Sequence, residues 1–73
     1  MTIEQGQLRG AFKGFHNRDT LFEFYGGGIW RQAEYKYNYY YSYMPNAKVV
    51  SRDGGYYIEL EQMNDSVRVV RVR

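Results

Sequence analysis

The sequence contains no cysteine, a single proline and a single histidine. Without cysteine there is no disulfide and no thiolate metal site, and nothing requires an oxidising compartment, so we expect a cytoplasmic protein. One histidine has no second imidazole with which to share a metal, and the serines lack the local base that a catalytic triad needs. These absences argue against a metal site and against nucleophilic catalysis.

Long apolar runs are also missing. No stretch approaches the roughly 20 apolar residues that span a bilayer, and the opening MTIEQGQLRG lacks the apolar run of a signal peptide. Ten Lys and Arg stand against eight Asp and Glu, so the formal net charge is only +2. We therefore expect no membrane partner, and the charge alone does not indicate nucleic acid.

Aromatic residues, in contrast, are abundant. Nine Tyr, four Phe and one Trp make up 19% of the 73 residues. A chain of this size buries only about 60% of its unfolded surface, but each large ring can bury on the order of 150–250 Å² and so replace missing disulfides. We expect a single domain over residues 1–73, with a flexible N-terminus at residues 1–7.

Two-residue alternation and turn dipeptides recur along the chain, whereas helical periodicity does not. Phe22 and Phe24 share one face of their strand, which predicts that both lie in the core. Turn signals, among them the triple glycine and Asp53-Gly54, separate predicted strands at residues 8–15, 20–25, 29–43, 47–52, 55–63 and 66–72.

These strands predict an all-β fold. The expected architecture is a small five- to six-stranded antiparallel meander barrel of the Src-homology-3 type, with one long bent third strand. A barrel of the Sm type, or a twisted meander sheet that dimerises to cover its face, stays open as an alternative.

The predicted third strand, residues 29–43, is too long for the protein. At about 3.3 Å per residue it would extend roughly 50 Å, against a diameter of roughly 30 Å for a globule of this size. We expect it to bend near Ala33 or to project as an arm. Past Ala33 the even-numbered positions are mostly polar, and the odd-numbered positions form a tyrosine ladder: Tyr35, Tyr37, Tyr39, Tyr41 and Tyr43.

Two interpretations of the ladder are open. In the first, the rings pair across strands and are buried, with their hydroxyls at the rim of the barrel. In the second, at least three rings are exposed as a contact surface, because five rings exceed what one face of so small a core needs.

An exposed ladder predicts a partner. A protein or a second copy of the chain is the first choice, and single-stranded nucleic acid, bound by tyrosine stacking and nearby Lys and Arg, is the alternative. The candidate binding residues are Tyr35, Tyr37, Tyr39, Tyr41, Tyr43, Trp30, Arg31 and Lys36.

We expect no enzyme, no metal and no small-molecule cofactor. His16 lies in a predicted turn, where a solvated histidine is ordinary. Glu59 and Glu61 share the predicted solvent-exposed face of a strand, and the chain is too short to build a catalytic cleft around them. The glycines 26–28 precede a strand instead of a helix, so they lack the dipole and the lysine of a phosphate-binding loop.

The run GAFKGFHNRDTLFEFYGGGIWRQAEYKYNYYYSYMPNAKV resembles a group of short, uncharacterised bacterial proteins. They share an aromatic-glycine start, a phenylalanine pair, a glycine turn, a tryptophan-glutamine step and a tyrosine-alternating strand that ends in proline. The resemblance covers roughly residues 10–60. It implies a small Src-homology-3-like barrel without an assigned activity, and it transfers no functional residues.

Overall fold

The computed structural model describes all 73 residues, and its regular secondary structure consists of strands without a helix, which confirms the all-β prediction. No helix that would be long and apolar enough to cross a membrane is present. The strands are β1 (Thr2–Gln7), β2 (Ala11–Phe12), β3 (Leu21–Glu23), β4 (Ile29–Gln32), β5 (Ser42–Tyr43), β6 (Asn46–Arg52), β7 (Gly55–Leu60) and β8 (Ser66–Arg71).

Six strands form one antiparallel sheet in the order β1-β6-β7-β8-β4-β3, and β2 pairs with β5 in a separate two-stranded sheet. The predicted meander order therefore holds only within the hairpins β3–β4 and β6–β7–β8. The larger sheet is not closed, since β1 and β3 are its edges. One bridge between Leu8 and Phe24, just beyond the ends of these two strands, connects them.

The core lies against the six-stranded sheet and consists of twelve buried apolar residues. Phe22 and Phe24 are both among them, as their shared face predicts. Trp30 is only 1% exposed, so its ring belongs to the core and not to the binding surface in which the sequence placed it. Its indole Nε1 donates a hydrogen bond to Glu4 Oε1 at 2.8 Å.

The hairpin turns form where glycine signals predict them. Gly26 and Gly54 have φ angles of +72° and +77°, in the left-handed region that glycine enters without a steric penalty. Gly26 lies in the β3–β4 hairpin, and Gly54 lies in the β6–β7 hairpin, where Arg52 pairs with Gly55.

The predicted flexible N-terminus at residues 1–7 is instead strand β1, paired with β6. Besides this backbone pairing, the Glu4 carboxylate holds the strand, because it accepts hydrogen bonds from the Gly28 N–H and from Trp30 Nε1, both at 2.8 Å. These partners lie more than twenty residues away along the chain, so no local pattern indicates them.

The prediction of one long strand over residues 29–43 is wrong. Strand β4 ends at Gln32, and regular pairing resumes only at β5. The Ala33 N–H bonds to the Arg68 carbonyl at 2.7 Å, and the chain then leaves the sheet at the residue where a bend was expected. It does not project as an arm, because the whole protein measures 29 × 26 × 22 Å.

Candidate functional site

The tyrosine segment, residues 33–43, carries the most exposed aromatic surface of the protein. Its five odd-numbered tyrosines are 56–81% exposed: Tyr35, Tyr37, Tyr39, Tyr41 and Tyr43. The structure thus has the rings in solvent, as the second interpretation of the ladder requires. A set of adjacent large exposed rings is unusual on a small protein and is typical of contact surfaces.

The buried side chain of Gln32 binds the backbone at the start of the segment. Its side chain is fully buried, and Nε2 donates to the carbonyl oxygens of Glu34 at 3.0 Å and Lys36 at 2.9 Å. Oε1 accepts the N–H of His16 at 3.2 Å. A single amide therefore supplies hydrogen-bond partners to three backbone groups outside the sheet, and its own buried polar atoms are paired in return.

Asp65 holds the middle of the segment. Its carboxylate accepts hydrogen bonds from Lys36 Nζ and Asn38 Nδ2, the latter at 2.9 Å, and from the Ser66 N–H at 2.9 Å. Burial raises the pKa of Asp65, but these three hydrogen bonds and the positive charge of Lys36 outweigh it and place the pKa below its ordinary value. The carboxylate is therefore charged at neutral pH and ties the segment to the start of β8.

Tyr40 is the exception among the tyrosines, because it has even parity and turns inward. Its ring packs against the core, and its hydroxyl donates to Gln62 Oε1 at 2.9 Å. The even-numbered residues 32, 36, 38 and 40 thus anchor the segment, and the odd-numbered tyrosines are displayed on its other side.

A close backbone contact fixes the segment at Asn38 to Tyr40. Phe15 and Asn38 exchange two backbone hydrogen bonds of 2.9 Å each. Next to them, a Cβ on Gly14 would lie 2.2 Å from the Asn38 carbonyl oxygen and 2.6 Å from the Tyr40 nitrogen. Only glycine lets the two backbones approach this closely, and its φ of +91° also favours glycine.

His16 is a member of the site that the sequence did not indicate. Its ring lies edge-on to Tyr37 at a centroid distance of 5.4 Å and to Tyr39 at 6.5 Å. The sequence predicts only a solvated turn residue here. His16 is far from both tyrosines along the chain, and only the Phe15–Asn38 pairing brings them together.

The two predicted cations of the site do not face the tyrosine rings. Lys36 is bound to Asp65 and to the Ser66 carbonyl on the anchoring side. The Arg31 guanidinium donates to the Arg18 carbonyl at 3.1 Å. Lys13 is exposed and lies two residues beyond Ala11, which pairs with Tyr43, so the antiparallel register places it beside the segment.

A concave surface lies outside the tyrosine segment: an open, polar groove beside β6 and β7, lined mainly by polar residues of β1, β6, β7 and the turn at 61–65. Its charges are largely paired, because Glu59 contacts both Lys48 at 3.8 Å and Arg52 at 3.1 Å. No group of three or more His, Cys, Asp or Glu that would hold a metal ion is found. The tyrosine segment is therefore the stronger candidate.

Comparison of the chain with protein-family models, with curated proteins and with solved structures finds no match.

Proposed function

We propose that the protein is a non-enzymatic interaction or self-assembly module whose contact surface is the row of tyrosines from Tyr35 to Tyr43. The observation that carries the proposal is the division of the segment into anchoring even-numbered and exposed odd-numbered side chains. A segment that merely linked two strands would not need four anchoring side chains behind five exposed rings.

A segment that is already held in place favours binding, because less conformational entropy is lost when it binds a partner. Tyrosine suits this purpose: its ring is large and has only two side-chain torsions, and its hydroxyl can pair with polar groups of many kinds. The five rings together offer on the order of 600 Å². That approaches the roughly 800 Å² per partner of a standard protein interface.

The test of this proposal is association of the purified protein, measured by light scattering from low to high micromolar concentration. The variant Tyr37→Ser/Tyr39→Ser removes two central rings, and Tyr25→Ser is the matched control because Tyr25 is 67% exposed outside the segment. We expect association that is lost in the double variant and kept in the control. A strict monomer at high micromolar concentration, or equal loss in both variants, contradicts the self-assembly form of the proposal.

Single-stranded nucleic acid is the second candidate, and the exposed rings with Lys13 beside them favour it. The engagement of Lys36 and Arg31 within the protein counts against it, because stacking platforms need cations for the phosphates. Titration of labelled single-stranded RNA at two salt concentrations tests this candidate. Binding that weakens with salt supports it, and no binding at low salt removes it.

We also infer that the sheet belongs to a small Src-homology-3-like barrel. The support is the contact between its two edges: the Arg9 N–H bonds to the Glu23 carbonyl and the Tyr25 N–H to the Gln7 carbonyl, both at 2.8 Å. Slow hydrogen exchange at these two amides is the result that we expect from a test of this contact.

We also propose that the protein is cytoplasmic, and the lack of cysteine supports this placement.

A further inference from the structure

The backbone of the tyrosine segment has one free side. Asn38 bonds to Phe15, and the Met44 N–H bonds to the Gly10 carbonyl at 2.9 Å, so even-numbered backbone groups point toward β2 and the residues on either side of it. In extended chain, neighbouring residues direct their N–H and C=O groups to opposite sides. Tyr37, Tyr39 and Tyr41 make no hydrogen bond through their backbone N–H or C=O groups.

This free side also lacks the usual protections of a sheet edge. Natural edges carry lysine, proline or a bulge that prevents pairing with another chain. Residues 37–43, YNYYYSY, contain no charge and no proline, and Lys36 is turned inward to Asp65. Tyrosine is among the residues most favoured in strands.

We propose that a second copy of the chain adds to this edge as an antiparallel strand, with Tyr40 on the two-fold axis. This inference rests on the proposed function and specifies how the tyrosine surface associates. The axis at Tyr40 sets Tyr39 opposite Tyr41 of the second copy and Tyr37 opposite Tyr43 of the second copy. The odd-numbered backbone groups that are free in one chain then meet the free groups of the other.

A second copy fits this edge for two reasons. The same edge serves both chains in a two-fold pairing, so it must complement itself, and an uncharged stretch meets no like charge in its copy. The pairing also sets the displayed rings of both chains on one face, where tyrosines opposite one another form favourable cross-strand pairs. Beyond the stretch, Lys36 comes opposite Met44 of the second copy, so no like charges oppose there either.

The register is tested by disulfide cross-linking, because the natural chain has no cysteine. Tyr39→Cys and Tyr41→Cys are made in separate chains, mixed and oxidised. Hydrogen-bonded partners have Cα atoms about 5.5 Å apart, within the range that a disulfide spans. We expect the mixture to cross-link at least tenfold faster than either variant alone, and faster than Tyr25→Cys. Equal rates in all samples overturn the register.

A pair of substitutions separates backbone pairing from ring contact. Tyr41→Pro removes an N–H that has no partner within the chain, and Tyr41→Ser removes the ring but keeps the N–H. We expect at least a tenfold loss of dimer affinity with proline and a smaller loss with serine. If serine abolishes the dimer and proline does not, strand pairing is overturned while association through the rings stands. If the natural chain is a strict monomer, both the strand pairing and the association through the rings are contradicted.

Should Tyr41→Pro unfold, which circular dichroism would reveal, the cross-linking experiment decides alone, since its variants keep every backbone N–H.

Discussion

Gln32 Nε2 donates a hydrogen bond to the carbonyl oxygen of Lys36 across 2.9 Å, inside the protein. Through this bond Gln32, the last residue of β4, binds the backbone four residues later and prevents the strand from continuing. The same amide binds the backbone of Glu34 and His16, so it joins the tyrosine segment to the turn that carries the neighbouring histidine.

Gln32→Leu is expected to lower the free energy of unfolding by about 2–4 kcal/mol, because it leaves three backbone groups without their partner at a fully buried position. Urea denaturation measures the loss. Gln5→Leu, at an exposed site on β1, is the control and is expected to change the free energy by less than about 0.5 kcal/mol. Similar losses in the two variants would contradict the anchoring role of Gln32.

Gly14→Ala is expected to destabilise the protein by more than about 3 kcal/mol, since the new methyl group would meet the backbone of Asn38 and Tyr40. Gly10→Ala is the matched control: Gly10 also has a positive φ, +75°, but nothing lies within 4 Å of the added carbon. The control should lose only about 1 kcal/mol from backbone strain. Thermal melting of both variants checks the difference, and equal shifts would mean that the close approach at Gly14 is absent.

Asp65 makes the anchoring sensitive to acid. Its pKa is below the ordinary value in the folded protein, so it contributes stability that is fully present at neutral pH and is lost as the pH falls through the folded-state pKa. Asp65→Asn is expected to cost about 1 kcal/mol at pH 7, a modest figure because the ion pair with Lys36 is partly exposed.

The measurement for Asp65 is the unfolding free energy of both proteins from pH 7 down to pH 2. The gap between natural protein and Asp65→Asn should narrow as the acid protonates the natural carboxylate. A gap that stays constant over this range would show that the charge of Asp65 does not stabilise the fold.

Glu4→Ala is expected to loosen strand β1, because it leaves the Gly28 N–H and Trp30 Nε1 without their acceptor. We expect a loss of about 2–3 kcal/mol and a red shift of the tryptophan emission, which reports on a single indole since the chain has one Trp. Glu61→Ala, exposed in the turn after β7, should leave the emission unchanged. An unshifted spectrum in Glu4→Ala would rule out the bond to the indole.

Local pattern predicted much of this fold. Alternation placed Phe22 and Phe24 in the core and set the odd-numbered tyrosines on one face, and glycine turns located the hairpins. The need for a bend or an arm in residues 29–43 followed from the length of that run. These features depend on neighbours in the sequence, which is why sequence reasoning reaches them.

The features that pattern did not predict depend on distant partners. The end of β4 at Gln32 follows from the buried amide that binds the backbone of Glu34 and Lys36. Strand β1 is held by its pairing with β6 and by the bonds from Gly28 and Trp30 to Glu4. Nothing near these residues signals such contacts. For the same reason Lys36 looked like a cation for a ligand, although Asp65 binds it within the protein.

The central claim is that alternate residues of the tyrosine segment have opposite roles, and two double variants test it most directly by urea unfolding. Tyr37→Ser/Tyr39→Ser removes displayed rings and should cost less than about 1 kcal/mol, as expected for exposed side chains. Lys36→Ala/Asn38→Ala removes two anchors on Asp65 and should cost about 1–3 kcal/mol. A loss of several kcal/mol in the tyrosine variant, with none in the anchor variant, would contradict the account.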